Sequence, residues 1–241
     1  MMKKIFLLTL LISTAVNVFG QDFPVSGGGG GLFGYSFTRY TLEGGGVKSY
    51  QNMDRLNYAG FLFFDVTYVE FSLLVQGGSG PYSEKMLFSS VSLSDDNGMG
   101  YETSLGFSIF GKYPFIINEK ITLFPLFGLE YHTALIQRRQ PEGGPVYDRT
   151  SGNLAADRDK DGDPYFISAW NSFWIDVGAG LDYNISELLF LRCELFFGFR
   201  LPTAYEMGEL DLVRYQMNVD NPGFSGLTGG PSIKIGIGYR F

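Results

Sequence analysis

Apolar residues alternate with polar or small residues along several stretches of the chain. The clearest stretch is the C-terminal Ile233–Phe241, where every second residue is apolar and the intervening residues are Lys, Gly or Arg. The same period of two runs through five earlier stretches: Val69–Val75, Tyr101–Tyr113, Ile121–Leu135, Phe173–Ile185 and Leu189–Leu201. A period of two predicts β-strands with one apolar face.

Two further strands are predicted near the start of the mature chain. Phe33, Tyr35 and Phe37 mark one of them, directly after the glycine run Gly27–Gly31. Tyr58–Val66 is apolar at nearly every position, so the pattern leaves its orientation open. No Gly-Lys-Ser/Thr sequence follows the glycine run, so it does not match a phosphate-binding loop. We expect it instead to be a flexible entry into the first strand.

The connections between these strands alternate in length. Three are short, at residues 65–67, 117–120 and 184–188, and four are long: Arg39–Asn57, Gly77–Gly100, Gln137–Ser168 and Pro202–Thr228. Three short turns and four long loops join eight strands and place both chain ends on the short-turn side. The pattern predicts an all-β fold, an eight-stranded antiparallel up-and-down barrel that forms a single domain over residues 21–241.

Alternation alone does not say whether water or lipid contacts the apolar face. A secreted soluble barrel or sandwich would turn that face inward, whereas a transmembrane barrel turns it outward. Glycine and charged residues share the opposite face: Glu130, Asp176, Asp182, Arg192, Glu194, Arg200, Lys234 and Arg240. An eight-stranded interior has room for little more than side chains, so we expect glycines there to make space for ion-paired residues. Stripes of about ten residues also match a tilted membrane strand.

The first residues predict export. Lys3 and Lys4 precede the apolar run Ile5–Ile12, and Val18 and Gly20 suit a cleavage site before Gln21, so residues 1–20 read as a signal peptide. Cleavage would change the formal net charge from −7 to −9. This acidic balance argues against a nucleic-acid partner, which would require clustered Lys and Arg.

The chain resembles the small eight-stranded bacterial outer-membrane barrels of the OmpA, OmpX and OmpW type. The resemblance rests on the signal peptide Met1–Gly20 and on the terminal strand Ile233–Phe241 with its final aromatic residue. It implies a location in the bacterial outer membrane, in contact with its lipid. It also implies that the outer-membrane assembly machinery reads the strand ending at Phe241.

One loop has the spacing of a calcium site. Asp157, Asp159 and Asp161 are followed by a glycine and Asp163, as in the first half of a calcium-binding loop. Ser168 stands where an EF-hand has its bidentate glutamate. We predict a metal site at Asp157, Asp159, Asp161 and Asp163, with a solvated acidic turn as the alternative, and calcium is the only cofactor that the sequence suggests.

The single histidine, His132, lies two residues after Glu130 on the polar face. The pair could act in general acid–base catalysis, but the deacylase type of barrel has a serine two residues after the histidine, and here that residue is Ala134. We therefore expect His132 to belong to a hydrogen-bond network in the lumen. Cys193 falls on the apolar face and is expected to be inert.

Three functions remain open from sequence. The leading expectation is an outer-membrane protein without enzymatic activity, structural or binding an unknown extracellular partner through the loops Gln137–Ser168 and Pro202–Thr228. The OmpW resemblance implies a narrow channel for small solutes as an alternative, although an eight-stranded lumen is expected to be filled. A lipid-modifying enzyme that uses His132 is the third.

Overall fold

A computed structural model of the chain describes residues 25–44, 46–88, 91–143, 147–150, 171–202 and 223–241. The predicted signal peptide and the aspartate loop at residues 157–163 lie outside these residues. The strands are β1 (Val25–Gly44), β2 (Val47–Val66), β3 (Val69–Phe88), β4 (Val91–Lys112), β5 (Phe115–Ile116), β6 (Ile121–Pro141), β7 (Tyr147–Thr150), β8 (Ser172–Asn184), β9 (Leu189–Arg200) and β10 (Gly223–Arg240). Helices long and apolar enough to cross a bilayer are absent from the described segments.

The eight long strands form one closed ring. Their order is β4-β3-β2-β1-β10-β9-β8-β6, and β6 pairs back onto β4. All of these pairings are antiparallel. The short β5 and β7 both pair with β6. The ring confirms the predicted eight-stranded up-and-down barrel, which is the fold of the small outer-membrane barrels that the chain resembles.

The outer surface carries an uninterrupted apolar belt. We define it as the outward positions of residues 27–37 in β1, 56–66 in β2, 69–79 in β3, 101–111 in β4, 121–131 in β6, 173–183 in β8, 189–199 in β9 and 229–239 in β10. None of these positions is Asp, Glu, Lys or Arg. Leu62, Leu195 and Ile237 expose 64%, 62% and 50% of their surface, whereas Arg192 and Lys234 expose 2% and 0%.

The belt is the lipid-facing surface of a transmembrane barrel. It covers about the eleven residues per strand that a tilted strand needs to cross the hydrocarbon layer. Aromatic rings gather at its short-turn edge, where Tyr68 stacks on Tyr113 at 5.7 Å and Tyr239 meets Phe241 edge-on at 5.4 Å. Such a girdle is typical of a membrane interface. The soluble barrel with an apolar interior is therefore wrong.

Two of the predicted long loops are wrong. Residues 39–57 and 77–100 are mostly strand: β1 and β2 stay paired up to Gly44 and Val47, and β3 and β4 up to Phe88 and Val91. β6 likewise continues through the first residues of the predicted loop Gln137–Ser168, and β10 begins at Gly223 inside Pro202–Thr228. Above the belt, outward residues such as Arg39 and Asp54 are polar. The apolar stripe that marks a membrane strand therefore disappears although the strand continues.

These extensions make a wall that rises beyond the belt on one side of the ring. We call residues 38–44, 46–54, 80–88, 91–100, 132–141 and 223–228 the distal wall. By contrast, the pairing of β8 with β9 ends at Trp174 and Arg200, close to the upper edge of the belt. The barrel therefore presents an asymmetric rim, with six strands continuing beyond the belt where β8 and β9 stop.

The glycine run is regular strand, which corrects the expectation of a flexible entry. Gly27–Gly31 are paired with β2 on one side and with β10 on the other. A Cβ on Gly28 or Gly30 would overlap the backbone of β10 at Ile237 or Ile235. Only glycine allows the two strands that close the barrel to approach so closely.

Candidate functional site

The lumen contains a buried ion network centred on Arg192 of β9. Its guanidinium donates from Nε to Asp182, from Nη1 to Glu70 and from Nη2 toward Asp65, each at 2.8 Å. Lys112 of β4 adds a second cation beside Asp65. We call Asp65, Glu70, Lys112, Asp182 and Arg192 the arginine cluster; it joins side chains from five strands.

The ion pair between Arg192 and Glu70 spans the whole ring. Three strands separate β9 from β3 in either direction around the barrel, so the two residues lie on opposite walls. Both side chains are 1% exposed. The pair therefore crosses the lumen from wall to wall at this level.

Phenylalanine rings enclose the Arg192 guanidinium. Phe63, Phe190 and Phe124 lie 4.4, 5.0 and 5.3 Å from it, measured to the ring centroids. Cation–π contacts of this kind gain strength when the cation is desolvated. The rings both fill the lumen and favour the charge at its centre.

Inward glycines provide the space for these rings. A Cβ on Gly238 would collide with the Phe190 ring, and a Cβ on Gly180 would collide with the Phe124 ring. Sequence reasoning expected the glycines to make room for long ion-paired side chains. Gly198 fits that expectation, since a Cβ there would lie 2.5 Å from Asp176 Oδ1. Gly180 and Gly238 make room for aromatic rings instead, and the rings then surround the cations.

Lys234 of β10 forms a second layer across the lumen. Its ammonium is fully buried and lies 4.5, 5.1 and 5.7 Å from the centroids of Phe110, Phe196 and Phe61. Phe110 belongs to β4, which is directly opposite β10 in the ring. Lys234 is paired in register with Glu194 of β9, which is also buried.

His132 lies in the network that the sequence predicted. Its Nε2 bonds to Glu130, and its Nδ1 lies 3.1 Å from the hydroxyl of Ser104. The sequence did not single out Ser104, because it is brought in by the pairing of β4 with β6 at an irregularity between Thr103 and Ser104. The result is a serine–histidine–glutamate arrangement inside the barrel.

This arrangement has little room for a substrate. Ser104, His132 and Glu130 are 2%, 4% and 6% exposed. The cavity that His132 and Glu130 line measures about 30 Å³. That volume holds one or two water molecules, whereas sites for drug-sized ligands measure some hundreds of Å³.

Polar contacts continue along the inner face of the distal wall. Arg55 pairs with Glu102 directly below the wall. On the wall itself, Gln51 donates to Glu84 at 3.1 Å, and the Tyr82 hydroxyl donates to Asp96 at 3.3 Å. Burial, followed by the nearby charge of Asp96, raises the pKa of Tyr82 to about 12. The wall is thus held from the inside by hydrogen bonds and ion pairs.

The predicted metal ligands Asp157, Asp159, Asp161 and Asp163 lie outside the described residues. Within the described ranges, there is no group of three or more His, Cys, Asp or Glu side chains that could hold a metal ion. Cys193 is a free thiol on the outer face, as predicted. The calcium loop stays a prediction from sequence.

Comparison with known proteins finds similarity only among solved structures. No protein-family model matches the chain, and no curated protein matches it. The outer-membrane protease OmpT from Escherichia coli is 11% identical, with 91% of this chain and 97% of that chain covered and a TM-score of 0.39. Neisserial surface protein A is 9% identical, with coverages of 88% and 97% and a TM-score of 0.36.

The attachment invasion locus protein Ail of Yersinia pestis is also similar. It is 14% identical, with 90% of this chain and 99% of that chain covered and a TM-score of 0.29. Similarity at this level carries no information about activity or partners. The architecture of the chain rests on its own closed ring of strands.

Proposed function

We propose that the protein is an integral outer-membrane barrel with a closed lumen, which serves as a rigid scaffold for its extracellular wall and loops. It performs no enzymatic reaction and conducts no solute in this role. The observation that carries the proposal is the filling of the lumen, where Arg192 reaches Glu70 and Lys234 reaches Phe110 across the full width of the ring.

The apolar belt and the export signal support the location. A chain that is exported and presents a charge-free belt has its stable position in the outer membrane of a Gram-negative-type envelope. The short turns at residues 67–68 and 185–188 then face the periplasm, and the distal wall faces outward. Phe241 is 79% exposed, and this exposure supports the proposal that the assembly machinery contacts it.

The distal wall supports a role in display. Function on barrel scaffolds is concentrated in the connecting segments, and here the wall carries the start of the 137–168 connection well beyond the belt. The second connection begins after β9, at the low side of the rim. We expect an extracellular partner to contact the distal wall and these connections.

Planar-bilayer recording tests the closed lumen. We expect the purified protein to insert without stepwise conductance, since the ion pair and the phenylalanine rings leave no water-filled path. A porin inserted under the same conditions serves as the positive control. Reproducible single-channel steps from the wild type would contradict the closed barrel and favour the narrow channel instead.

The serine–histidine–glutamate arrangement gives the enzyme hypothesis a specific form. If the barrel were lipid-modifying, Ser104 would be the nucleophile and His132 the base. Purified protein incubated with outer-membrane lipid, followed by mass spectrometry of that lipid, tests this directly. We expect unchanged lipid; a new product that disappears in both Ser104→Ala and His132→Ala would establish the enzyme.

A further inference from the structure

A small cavity in the lumen, on the side of the distal wall, is lined by polar side chains together with Leu32, Trp174 and Phe196. Its polar walls come from β1, β2, β3, β6, β8 and β10, and the side chains with oxygen atoms that carry the argument are Ser36, Asn57, Gln76, Glu130, Asp176 and Ser232. The volume of about 30 Å³ accommodates one or two small particles such as a water molecule or an ion. It belongs neither to the arginine cluster nor to the predicted loop at Asp157.

Two carboxylates on this cavity have oxygens without partners. Asp176 and Glu130 are 2% and 6% exposed, and Asp176 Oδ2 and Glu130 Oε2 accept no hydrogen bond from the described part of the chain. The two residues stand on neighbouring strands, offset by one step of the register, with Gly128 opposite Asp176 and Glu130 opposite Trp174. A buried ionised oxygen without a partner is strongly unfavourable.

The acidic side chains on the cavity wall are unequally partnered. Glu130 bonds to His132 through the histidine Nε2. Asp176 forms no ion pair within the described residues, and its buried Oδ2 has no hydrogen-bond partner there. A cation in the cavity would give Asp176 the partner that the described chain does not supply.

We propose that this cavity binds one hard metal cation, of the Na⁺ or Ca²⁺ class. Carboxylate, amide and hydroxyl oxygens are the ligands such ions prefer, and Ca²⁺ accepts six to eight of them in irregular geometry. Asp176 and Glu130 supply the charged ligands. Asn57, whose amide nitrogen donates to the Ser36 hydroxyl at 3.0 Å, keeps its carbonyl oxygen available as an acceptor.

The burial of the site determines when the ion can enter it. Because both carboxylates are shielded from solvent, exchange on the folded barrel is slow, and the ion enters while the barrel closes. The experiment therefore compares protein refolded from urea into detergent with chelator alone, with CaCl₂, or with NaCl. Every sample carries Asp159→Ala, which removes the separately predicted calcium loop.

The readouts are bound calcium per barrel after gel filtration and the denaturation midpoint of the folded band. We expect protein refolded in CaCl₂ or in NaCl to show a higher denaturation midpoint than protein refolded in chelator. Where CaCl₂ gives the higher midpoint, we expect about one bound calcium ion per barrel. Asp176→Asn should remove the difference while still folding. The matched control Asp54→Asn, an outward residue of the distal wall paired with Arg39, should keep it.

Two results would overturn the proposal. One is an identical midpoint in chelator, calcium and sodium for the unmodified site. The other is a higher midpoint for Asp176→Asn than for the parent in every salt, which would mean that protons and water alone occupy the cavity. Neither result would bear on the bilayer test of the closed lumen, where Arg192 and Lys234 act without the ion.

Discussion

At the scale of single residues, the lumen is organised around two cations that are fully desolvated and enclosed by phenylalanine rings. Arg192 is held by carboxylates on three other strands, and Lys234 lies among three rings. A buried ion pair gives little net stability compared with an apolar filling, but the loss of one partner is costly because the others remain charged. Substitutions at these two residues should therefore destabilise the barrel more than substitutions at outward residues do.

Arg192→Met should destabilise the barrel by about 3–5 kcal/mol, because Asp65, Glu70 and Asp182 would lose their common cation. The measurement is the urea midpoint of the folded band in detergent. Arg39→Met is the matched control, since the Arg39–Asp54 pair is outward and its arginine side chain is 45% exposed. The control should cost less than about 1 kcal/mol, and equal losses for both variants would contradict the role given to Arg192.

The buried phenol of Tyr82 should make the folded barrel less stable at alkaline pH. Burial and Asp96 raise the pKa of its phenol from 10.0 to about 12, so the neutral form is favoured in the folded state. The contribution of Tyr82 to stability is full below about pH 10 and is lost as the pH rises toward 12.

Tyr82→Phe should lessen the fall in urea midpoint over that interval. Tyr68→Phe, at an exposed turn tyrosine, should leave the fall unchanged. If both variants followed the wild-type curve, the buried phenol would have no part in the alkaline transition.

At the scale of the elements, the closure of the barrel depends on glycine. β1 and β10 meet through Gly28 and Gly30 on one side and Gly236 and Gly238 on the other. Their backbones approach so closely that a methyl group on Gly28 or Gly30 would lie about 2 Å from a backbone oxygen of β10, and at Gly30 its nearest contacts are all backbone atoms. The high glycine content thus has a local cause at this seam.

Gly30→Ala should destabilise the barrel by about 1–3 kcal/mol or more, because the added methyl group forces the backbone of β10 to move. Gly60→Ala is the control: it lies outward on β2, and a Cβ there meets nothing within 4 Å. The folded fraction on unheated gels at rising urea distinguishes the two. A Gly30→Ala barrel as stable as Gly60→Ala would refute the close approach at the seam.

The elements also show where the sequence was informative. The residues of the belt strands that face outward, as in β9 and β10, could be predicted from the apolar period. Contact with lipid requires an apolar or small side chain at every second residue. The distal wall has no such period: Arg39, Asn52 and Asp54 face outward into a polar environment, so a regular strand resembles a loop in sequence. Ser104 was missed because it meets His132 only through the pairing of β4 with β6, which no local pattern encodes.

At the scale of the whole molecule, the barrel combines a charge-free belt with a filled interior and an asymmetric rim. The belt fixes its depth in the membrane, and the filled interior makes it rigid. The described part that rises above the belt is formed by β1–β4, β6 and the start of β10, and it is mostly strand.

Surface labelling tests the orientation of the molecule. In a Cys193→Ser background, Ser83→Cys on the distal wall should react with a membrane-impermeant maleimide on intact cells. Asn118→Cys, in the turn at the opposite end, should react only after the outer membrane is permeabilised. The reverse pattern would mean that the short turns face the outside.

The contact between Arg192 and Glu70 also bears on the order of events during assembly. The two residues are 122 positions apart and stand on opposite sides of the ring, so a growing sheet with free edges cannot hold them at 2.8 Å. Arg192 can meet Asp182 on the adjacent β8 before closure, but its contact with Glu70 forms only when the first and last strands meet. Dehydration of the lumen and completion of the cylinder then become a single cooperative step.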